Sequence, residues 1–239
     1  MITIGILSTL YQNKYDQKTQ DAIERSVAEL PYRFISIITD NRSPYVHFGR
    51  RKVMNAGLSC QEHIDLFLWL DADIWFEPRD IELLVEDIRE RACDFVTGVY
   101  YARETNHSAT IATGSDYYGF QWNLEFSEEL IKVKDGACGL GFCAVSSAAL
   151  RHYSREYLST EWFDSSGYFP MCEPPERRWN ITGEDLDFSQ KMRYIGYPLW
   201  VDGRVRPSHA GITQKDFEEC KGRPGQEYCP VTVTELKKP

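Results

Sequence analysis

Two aspartates separated by one residue, Asp71 and Asp73, directly follow a run of five apolar residues at 66–70. Such a run is typical of a central strand in a parallel sheet, and open α/β sheets bind ligands beyond the carboxyl ends of their strands. Side-chain alternation along an extended chain directs both carboxylates to one side. Carboxylates are suitable ligands for Mg²⁺ or Mn²⁺, which offset the charge of a nucleotide diphosphate. The pattern therefore predicts a metal and nucleotide site, although a solvated acidic turn gives the same pattern.

Three further residues have the chemistry to complete such a site. His209 ends a predicted extended piece and lies two residues before Gly211. An imidazole with two carboxylates would complete a first-row metal site. A lone histidine is more often structural. Glu184 and Asp185 stand at a predicted helix start, where acidic residues stabilise the helix amino terminus. A carboxylate held there could also act as general base for an acceptor hydroxyl.

The elements that must position these residues alternate between strands and helices in the first hundred residues. Strands are predicted at 2–7, 33–39, 66–70 and 95–99, and helices at 18–30, 48–60 and 78–88, the last with Pro78 in its first turn. This order predicts an open, mainly parallel α/β sheet flanked by helices.

The second half of the sequence is less regular. The predicted elements are short strands and loops at 107–135, a Gly-rich strand at 136–145, a long loop at 153–182, a helix from about 182, a strand at 197–201 and an extended piece at 205–209. The polar chain after Gly211 is predicted to lie outside the core fold.

Composition narrows the classes of function. The 239 residues are 42% hydrophobic and 13% aromatic, which suits one globular domain with a sizeable core. The net charge of −9 argues against nucleic acid or an anionic membrane as the main partner. The seven cysteines include no Cys-x-x-Cys pair, which disfavours a structural zinc site. The sequence has neither a signal-peptide pattern nor an apolar run near the roughly 20 residues that span a bilayer, so we expect a cytoplasmic protein in a reducing setting.

Several short motifs occur in one order along the chain. They are Leu70-Asp71-Ala72-Asp73-Ile74, Gly183-Glu184-Asp185-x-Asp187-Phe188, Gly196-Tyr197 and Ser208-His209-Ala210-Gly211. In this order they resemble the motifs of family 2-like GT-A glycosyltransferases. Residues 49–52 are similar to that family's Ala-Arg-Asn stretch, and residues 139–142 to its Gly-x-Gly-Phe strand. Residues 97–101 also resemble small glycosyltransferases of bacteria and their phages.

The resemblance covers residues 2–211 and implies a GT-A (Rossmann-like) fold. It implies one domain at 1–212, with a nucleotide-sugar-binding half at 1–103 and an acceptor-side half of short strands and loops at 104–212. A carboxyl-terminal tail would follow at 213–239.

The resemblance also implies a role for each matching residue in transfer of a sugar to an acceptor hydroxyl. Asp73 would ligate Mn²⁺ or Mg²⁺, Asp71 would bind the metal or the ribose, and His209 would be the third protein ligand. Asp185 would be the base of an inverting reaction, and Glu184 would contact donor or acceptor hydroxyls.

The nucleotide part of the donor would be bound by residues of the first half. Asp40, with the backbone of Ser8 and Thr9, would meet the base, and Arg51, with Arg50 beside it, would reach the diphosphate. The sequence Arg50-Arg51-Lys52 departs from Ala-Arg-Asn, which leaves open which arginine contacts phosphate. Residues 39–43 depart from the family's Asp-Asp-Gly-Ser, so the base stays open between a favoured UDP-sugar and a GDP-sugar. The candidates for a sugar-stacking platform are Trp122, Trp162 and Trp179.

Four other functions are compatible with parts of the pattern. The phage-like motif favours a glycosyltransferase acting on hydroxylated bases of phage DNA, whereas the acidic balance disfavours it. A nucleotide-sugar binding module without activity would keep the same residues. A haloacid-dehalogenase-type phosphatase normally carries Asp-x-Asp on its first strand, but here the motif ends the third. A nucleotidyltransferase would have a Gly-rich loop after the first strand, and residues 7–11 contain no glycine.

Overall fold

The computed structural model describes residues 1–10, 14–40, 46–100, 111–112, 128–133, 136–157, 184–209 and 231–238. The strands in these stretches are β1 (Thr3–Leu10), β2 (Arg33–Asp40), β3 (Leu66–Leu70), β4 (Ile74–Trp75), β5 (Phe95–Gly98), β6 (Ile111–Ala112), β7 (Leu130–Lys132), β8 (Ala137–Cys138), β9 (Phe142–Ser146), β10 (Trp200–Asp202), β11 (Ser208–His209) and β12 (Val231–Leu236). The helices are α1 (Gln17–Glu29), α2 (Val46–Ser59), α3 (Pro78–Glu90), α4 (Ser147–Tyr157) and α5 (Glu184–Tyr194).

Eight of these strands form one sheet in the order β12-β2-β1-β3-β9-β5-β10-β7. β2, β1 and β3 are parallel, as are β5 and β10. β9 is antiparallel to both of its neighbours, β3 and β5, and β12 and β7 pair antiparallel at the two ends. The predicted α/β sheet flanked by helices is confirmed. Because β3, β5 and β10 run in the same direction, their carboxyl ends lie at one edge of the sheet.

Helices cover both faces of the sheet and enclose two apolar layers. One layer includes buried side chains of α1 and α3, among them Ile23, Val27 and Leu84. The other includes buried side chains of α2, α4 and α5, among them Val53 and Phe188. The five residues of β3 are all buried because this strand lies between the two layers, as its apolar run predicts.

Local sequence sets the ends of the helices around β3 and β4. Asp16 caps α1, since its carboxylate accepts from the Lys18 N–H at 3.0 Å. α3 begins with Pro78 in its first turn, and the N–H of Glu77 donates to the Asp80 carboxylate at 2.8 Å. These two helices pack against each other on one face of the sheet.

The structure differs from the predicted elements in the second half. The predicted Gly-rich strand is two strands, β8 and β9, because a turn at Gly139–Gly141 interrupts it. The loop predicted at 153–182 is wrong for residues 153–157, because they belong to α4, which buries Leu150 and Tyr153 on one face. The strand predicted at 197–201 is β10, which begins at Trp200.

The expectation that the chain after Gly211 lies outside the core fold is wrong for Val231–Leu236. These residues form β12, which pairs with β2 over its whole length. Their alternating Val and Thr side chains have high strand propensity, and the Arg33 guanidinium on β2 bonds the Glu235 carboxylate on β12 at 2.8 Å. β12 thus extends the main sheet beside its first parallel pair.

No helix in the described part of the chain is long and apolar enough to cross a bilayer.

Candidate active site

The Asp-x-Asp residues form the short connection between β3 and β4. The Asp71 N–H donates to the Gly141 carbonyl at 2.9 Å, which ties this connection to the turn before β9. The Asp71 carboxylate is part-buried, whereas Asp73 is only 1% exposed. A buried carboxylate needs donors or a cation around it, so the alternative of a solvated acidic turn does not fit Asp73.

Arg50 on α2 holds the first of these carboxylates. Its Nη2 lies 3.0 Å from Oδ1 and 3.2 Å from Oδ2 of Asp71, and Arg50 is 6% exposed. A charge pair in such a poorly solvated position is stronger than one on the surface. The Arg50 guanidinium thus contacts Asp71, and its expected position beside the donor diphosphate stays a prediction.

A second, two-stranded sheet brings the last of the ordered sequence motifs to the same place. β11 pairs antiparallel with β4, so that His209 lies opposite Ile74 and Ser208 opposite Trp75. Ile74 directly follows Asp73, and the backbone of His209 is therefore adjacent to the Asp-x-Asp connection. The sequence alone cannot place these residues together, because they are far apart along the chain.

Residues 203–207 carry the chain from β10 to β11 across the end of β5. The Val99 N–H donates to the Val205 carbonyl at 2.8 Å. A Cβ atom at Gly98 would lie 2.5 Å from Val205 Cγ1 and 2.8 Å from its carbonyl oxygen. Only glycine permits this close crossing, which fixes the path of the chain to His209.

A buried carboxylate pair anchors the same crossing. Asp202 ends β10 and Asp87 lies on α3, and both are fully buried. Arg204 Nη2 lies 2.7 Å from Asp202 Oδ2 and 3.4 Å from Asp87 Oδ1. Burial, followed by the charge of Asp202, raises the pKa of Asp87 to about 7. Burial opposes ionisation of Asp202 as well, but hydrogen bonds from Arg204 hold its pKa below the ordinary value.

The described residues contain no set of three His, Cys, Asp or Glu side chains arranged to hold a metal ion. Of the predicted ligands Asp71, Asp73 and His209, the first contacts Arg50. Asp73 immediately precedes β4, and His209 ends β11, the strand that pairs with β4. Mg²⁺ and Mn²⁺ sites often use one or two protein ligands together with waters and substrate phosphates. The chemistry of Asp73 and His209 fits such a site, with Asp71 as a neighbour held by an arginine.

The strand ends predicted to bind the base lie side by side. β1 and β2 are paired so that Thr9 is opposite Thr39 and Leu10 is opposite Asp40. Ser8 and Thr9 are buried. Arg51 is part-buried on α2, and the described residues offer it no ion pair. The backbone thus places Ser8, Thr9 and Asp40 at the carboxyl edge of the sheet.

Helix α5 begins at the predicted catalytic acids. The Asp185 carboxylate accepts from the Leu186 N–H at 2.9 Å, and Asp185 is part-buried. The Ser189 hydroxyl donates to the Asp185 carbonyl at 2.9 Å and accepts from the Cys138 N–H at 3.2 Å. These bonds anchor the start of α5 to β8 at Cys138. Cys138 lies three residues before Gly141, whose carbonyl accepts the Asp71 N–H.

Some predicted site groups lie outside the part of the chain that the structure describes. These are Trp122, Trp162 and Trp179, together with the side chains of Asp40 and Glu184.

Sequence reasoning missed two residues that support the Asp-x-Asp connection. The Asp16 N–H donates to the Ala72 carbonyl at 2.7 Å, and its carboxylate accepts from Trp75 Nε1 at 2.9 Å. Tyr100 is 1% exposed, and its hydroxyl accepts from the Gly141 N–H at 2.8 Å. An aspartate before a helix predicts a cap, but neither tertiary contact has a local sequence signal.

A cavity of about 670 Å³ lies at the opposite edge of the sheet. It is lined by residues at the amino ends of the strands and on α3, among them Met1, Tyr32, Arg79 and Glu82. None of the predicted site residues lines it, and its charged side chains include the exposed Arg79–Glu82 pair at 3.0 Å. The carboxyl edge, where the chemical groups converge, is therefore the candidate active site.

Comparison with known proteins identifies the fold. No protein-family model and no curated protein matches the sequence. Among solved structures, the chain is similar to the crystal structure of A197 from STIV, with a TM-score of 0.56, 17% identity, and coverage of 89% of this chain and 87% of that chain. It is also similar to the crystal structure of GalNAc-T7 with UDP, GalNAc and Mn²⁺, with a TM-score of 0.57, 11% identity, and coverage of 95% of this chain but only 46% of that chain. The chain therefore has a GT-A-like α/β fold, as its motif order predicts.

Proposed function

We propose that this protein is a metal-dependent glycosyltransferase that transfers a sugar from a nucleoside-diphosphate sugar to an acceptor hydroxyl. The observation that carries the proposal is the β4–β11 ladder in a GT-A-like fold, since it pairs the backbone of His209 with Ile74, the residue that follows Asp73. The neighbour of similar fold that was crystallised with UDP, GalNAc and Mn²⁺ favours a UDP-sugar over a GDP-sugar.

In this proposal the donor lies across the carboxyl edge of the sheet. Asp40 and the strand ends at Ser8 and Thr9 bind the base, because β1 and β2 bring them together. Arg51 contacts the diphosphate, while Arg50 orients Asp71 through the ion pair at 3.0 Å. The motif left open which of the two arginines contacts phosphate. In this proposal Arg51 does so, and Arg50 positions Asp71.

Asp185 is the proposed general base. Its carboxylate takes the proton of the acceptor hydroxyl while the acceptor oxygen bonds to the anomeric carbon and the bond from that carbon to the diphosphate breaks. Attack from the face opposite the leaving group inverts the anomeric configuration. A divalent cation held by Asp73 and His209 would offset the charge of the departing diphosphate. Glu184, the residue before the base, would contact sugar hydroxyls.

Asp185→Asn tests the assignment of the base. We expect it to lower the release of UDP from a UDP-sugar, with water as acceptor, by roughly 10²–10⁴-fold, because asparagine cannot accept the proton. UDP affinity should be retained. The measurement is UDP release from a panel of UDP-hexoses and UDP-N-acetylhexosamines, with Asp21→Asn on the exposed face of α1 as the matched control.

The outcomes separate the proposed enzyme from its alternatives. Release at the wild-type rate by Asp185→Asn would contradict the role of this residue. The wild-type protein could instead bind UDP but neither release UDP from any donor nor transfer a sugar to any acceptor hydroxyl. That result would favour a nucleotide-sugar binding module. Once a product is available, NMR of its anomeric proton distinguishes inversion from retention.

A further inference from the structure

We propose that Tyr100 is a positioning residue that holds the Asp71 connection and the His209 imidazole in one arrangement. Tyr100 follows β5 by two residues and lies in the stretch 97–101, to which the resemblance assigned no role in the site. The inference rests on the proposed function, because it concerns the residues that would hold the metal and the donor.

The hydroxyl of Tyr100 is linked to Asp71 through one residue. It accepts the Gly141 N–H at 2.8 Å, and the Gly141 carbonyl in turn accepts the Asp71 N–H at 2.9 Å. Both backbone groups of Gly141 are therefore used between these two residues. A shift of the hydroxyl would move the turn that holds the start of the Asp-x-Asp connection.

Packing at Gly141 makes this link rigid. A Cβ atom at position 141 would lie 2.8 Å from the Tyr100 hydroxyl oxygen and 3.1 Å from Asp71 Oδ2. The Tyr100 hydroxyl and the Asp71 carboxylate thus both lie on the side of Gly141 where a Cβ atom would stand, and they leave no room for a methyl group. The fit explains why the segment needs glycine here and transmits a displacement of Tyr100 to Asp71.

The ring of Tyr100 contacts the other side of the site. Its centroid lies 5.3 Å from that of His209, with an interplanar angle of 67°. The β4–β11 ladder fixes the backbone of His209 but leaves rotation of its imidazole open. An edge-on aromatic ring at this distance restricts that rotation. One buried side chain therefore contacts both the turn behind Asp71 and the predicted ligand His209.

Tyr100→Phe tests the inference because it keeps the ring and removes the hydroxyl. Groups behind a metal ligand commonly contribute about tenfold or more to metal affinity. We expect the Mn²⁺-dependent gain in UDP affinity, measured by calorimetry, to fall by roughly tenfold. UDP affinity without metal should be unchanged, since the strand ends proposed to bind the base belong to β1 and β2, whereas Tyr100 follows β5.

Tyr197→Phe is the matched control. The Tyr197 hydroxyl lies 3.2 Å from His152 Nδ1, and the two rings meet edge-on with centroids 5.6 Å apart. This variant therefore removes a tyrosine hydroxyl from a similar pair on α4 and the segment after α5. It should keep the full Mn²⁺-dependent gain.

Gly141→Ala keeps the measurement informative if Tyr100→Phe does not fold. It retains Tyr100 but displaces its hydroxyl, and we expect the same selective loss of the Mn²⁺-dependent gain. An unchanged gain in either variant, or an equal loss of UDP affinity with and without Mn²⁺, would overturn the positioning role. Absence of any Mn²⁺-dependent gain in the wild-type protein would overturn the proposed function, and the inference with it.

Discussion

At the scale of single residues, the pair formed by Arg50 and Asp71 determines how the candidate site is charged. Arg50 is 6% exposed and its Nη2 contacts both Asp71 carboxylate oxygens, at 3.0 and 3.2 Å. The arginine therefore neutralises the carboxylate that comes first in the Asp-x-Asp motif. Asp73 is more deeply buried, directly precedes the strand that pairs with β11, and is the proposed metal ligand.

Arg50→Gln is expected to lower the free energy of unfolding by roughly 1–3 kcal/mol, because Asp71 loses a charged donor in a part-buried position. Arg51→Gln, on the same helix, should change it by about 0.5 kcal/mol or less. Urea unfolding of both variants measures the difference. Combining Arg50→Gln with Asp71→Asn should recover part of the loss, since neither charge is then left alone. Equal stability of Arg50→Gln and Arg51→Gln would contradict the structural role of the Arg50–Asp71 pair.

At the scale of elements, the crossing from β10 to β11 determines where His209 lies. Two carboxylates anchor this crossing, that of Asp87 on α3 and that of Asp202 at the end of β10. Arg204 donates to the Asp202 carboxylate at 2.7 Å. Arg91 on α3 also lies 3.6 Å from Asp87. Burial, together with Asp202, nevertheless raises the pKa of Asp87 from 3.8 to about 7. The folded protein therefore retains a proton at Asp87 that the unfolded chain releases at lower pH.

This difference predicts how stability changes with pH. Between pH 3.8 and about 7 the folded state binds more protons at Asp87 than the unfolded state, so Asp87 makes the free energy of unfolding fall as pH rises. The lowered pKa of Asp202 acts below its ordinary value of 3.8 and thus outside this window. Asp87→Asn cannot ionise, and we expect it to flatten the slope and be more stable than the wild-type protein at pH 8 by on the order of 1 kcal/mol.

Urea unfolding at several pH values between 5 and 8 tests this prediction. Asp21→Asn, at an exposed position on α1, is the control and should keep the wild-type slope. A parallel slope for Asp87→Asn and the wild-type protein would show that Asp87 ionises normally in the folded state.

At the scale of the whole molecule, the sequence predicts the part of the sheet whose strands have strong local patterns. The five apolar residues of β3 and the helical stripe of α3 define the first half, including the position of Asp71 and Asp73 at a strand end. The motif order, read as a resemblance, predicts the GT-A-like fold. α4 was not predicted, because the sequence from residue 153 was assigned to a long loop.

Other features depend on contacts between distant segments, which local patterns do not contain. β12 lies in a polar stretch and becomes a strand by pairing with β2, about 200 residues earlier in the chain. The partner of Arg50 and the contact between Tyr100 and Gly141 likewise arise only when β3, β9 and α2 have assembled. The assignment of Asp185, Asp40 and Arg51 to the reaction and the donor stays a prediction.

Calorimetric titration of UDP and GDP with and without Mn²⁺ tests the central claim most directly. The account predicts that one nucleotide, UDP in preference, binds more tightly with Mn²⁺, and that Asp73→Asn removes this gain. Asp65 directly precedes the first residue of β3, at the end of the strand away from Asp73. Asp65→Asn is the control and should retain the Mn²⁺-dependent gain. If neither nucleotide binds, or if binding is independent of both Mn²⁺ and Asp73, the proposed metal-dependent glycosyltransferase is contradicted.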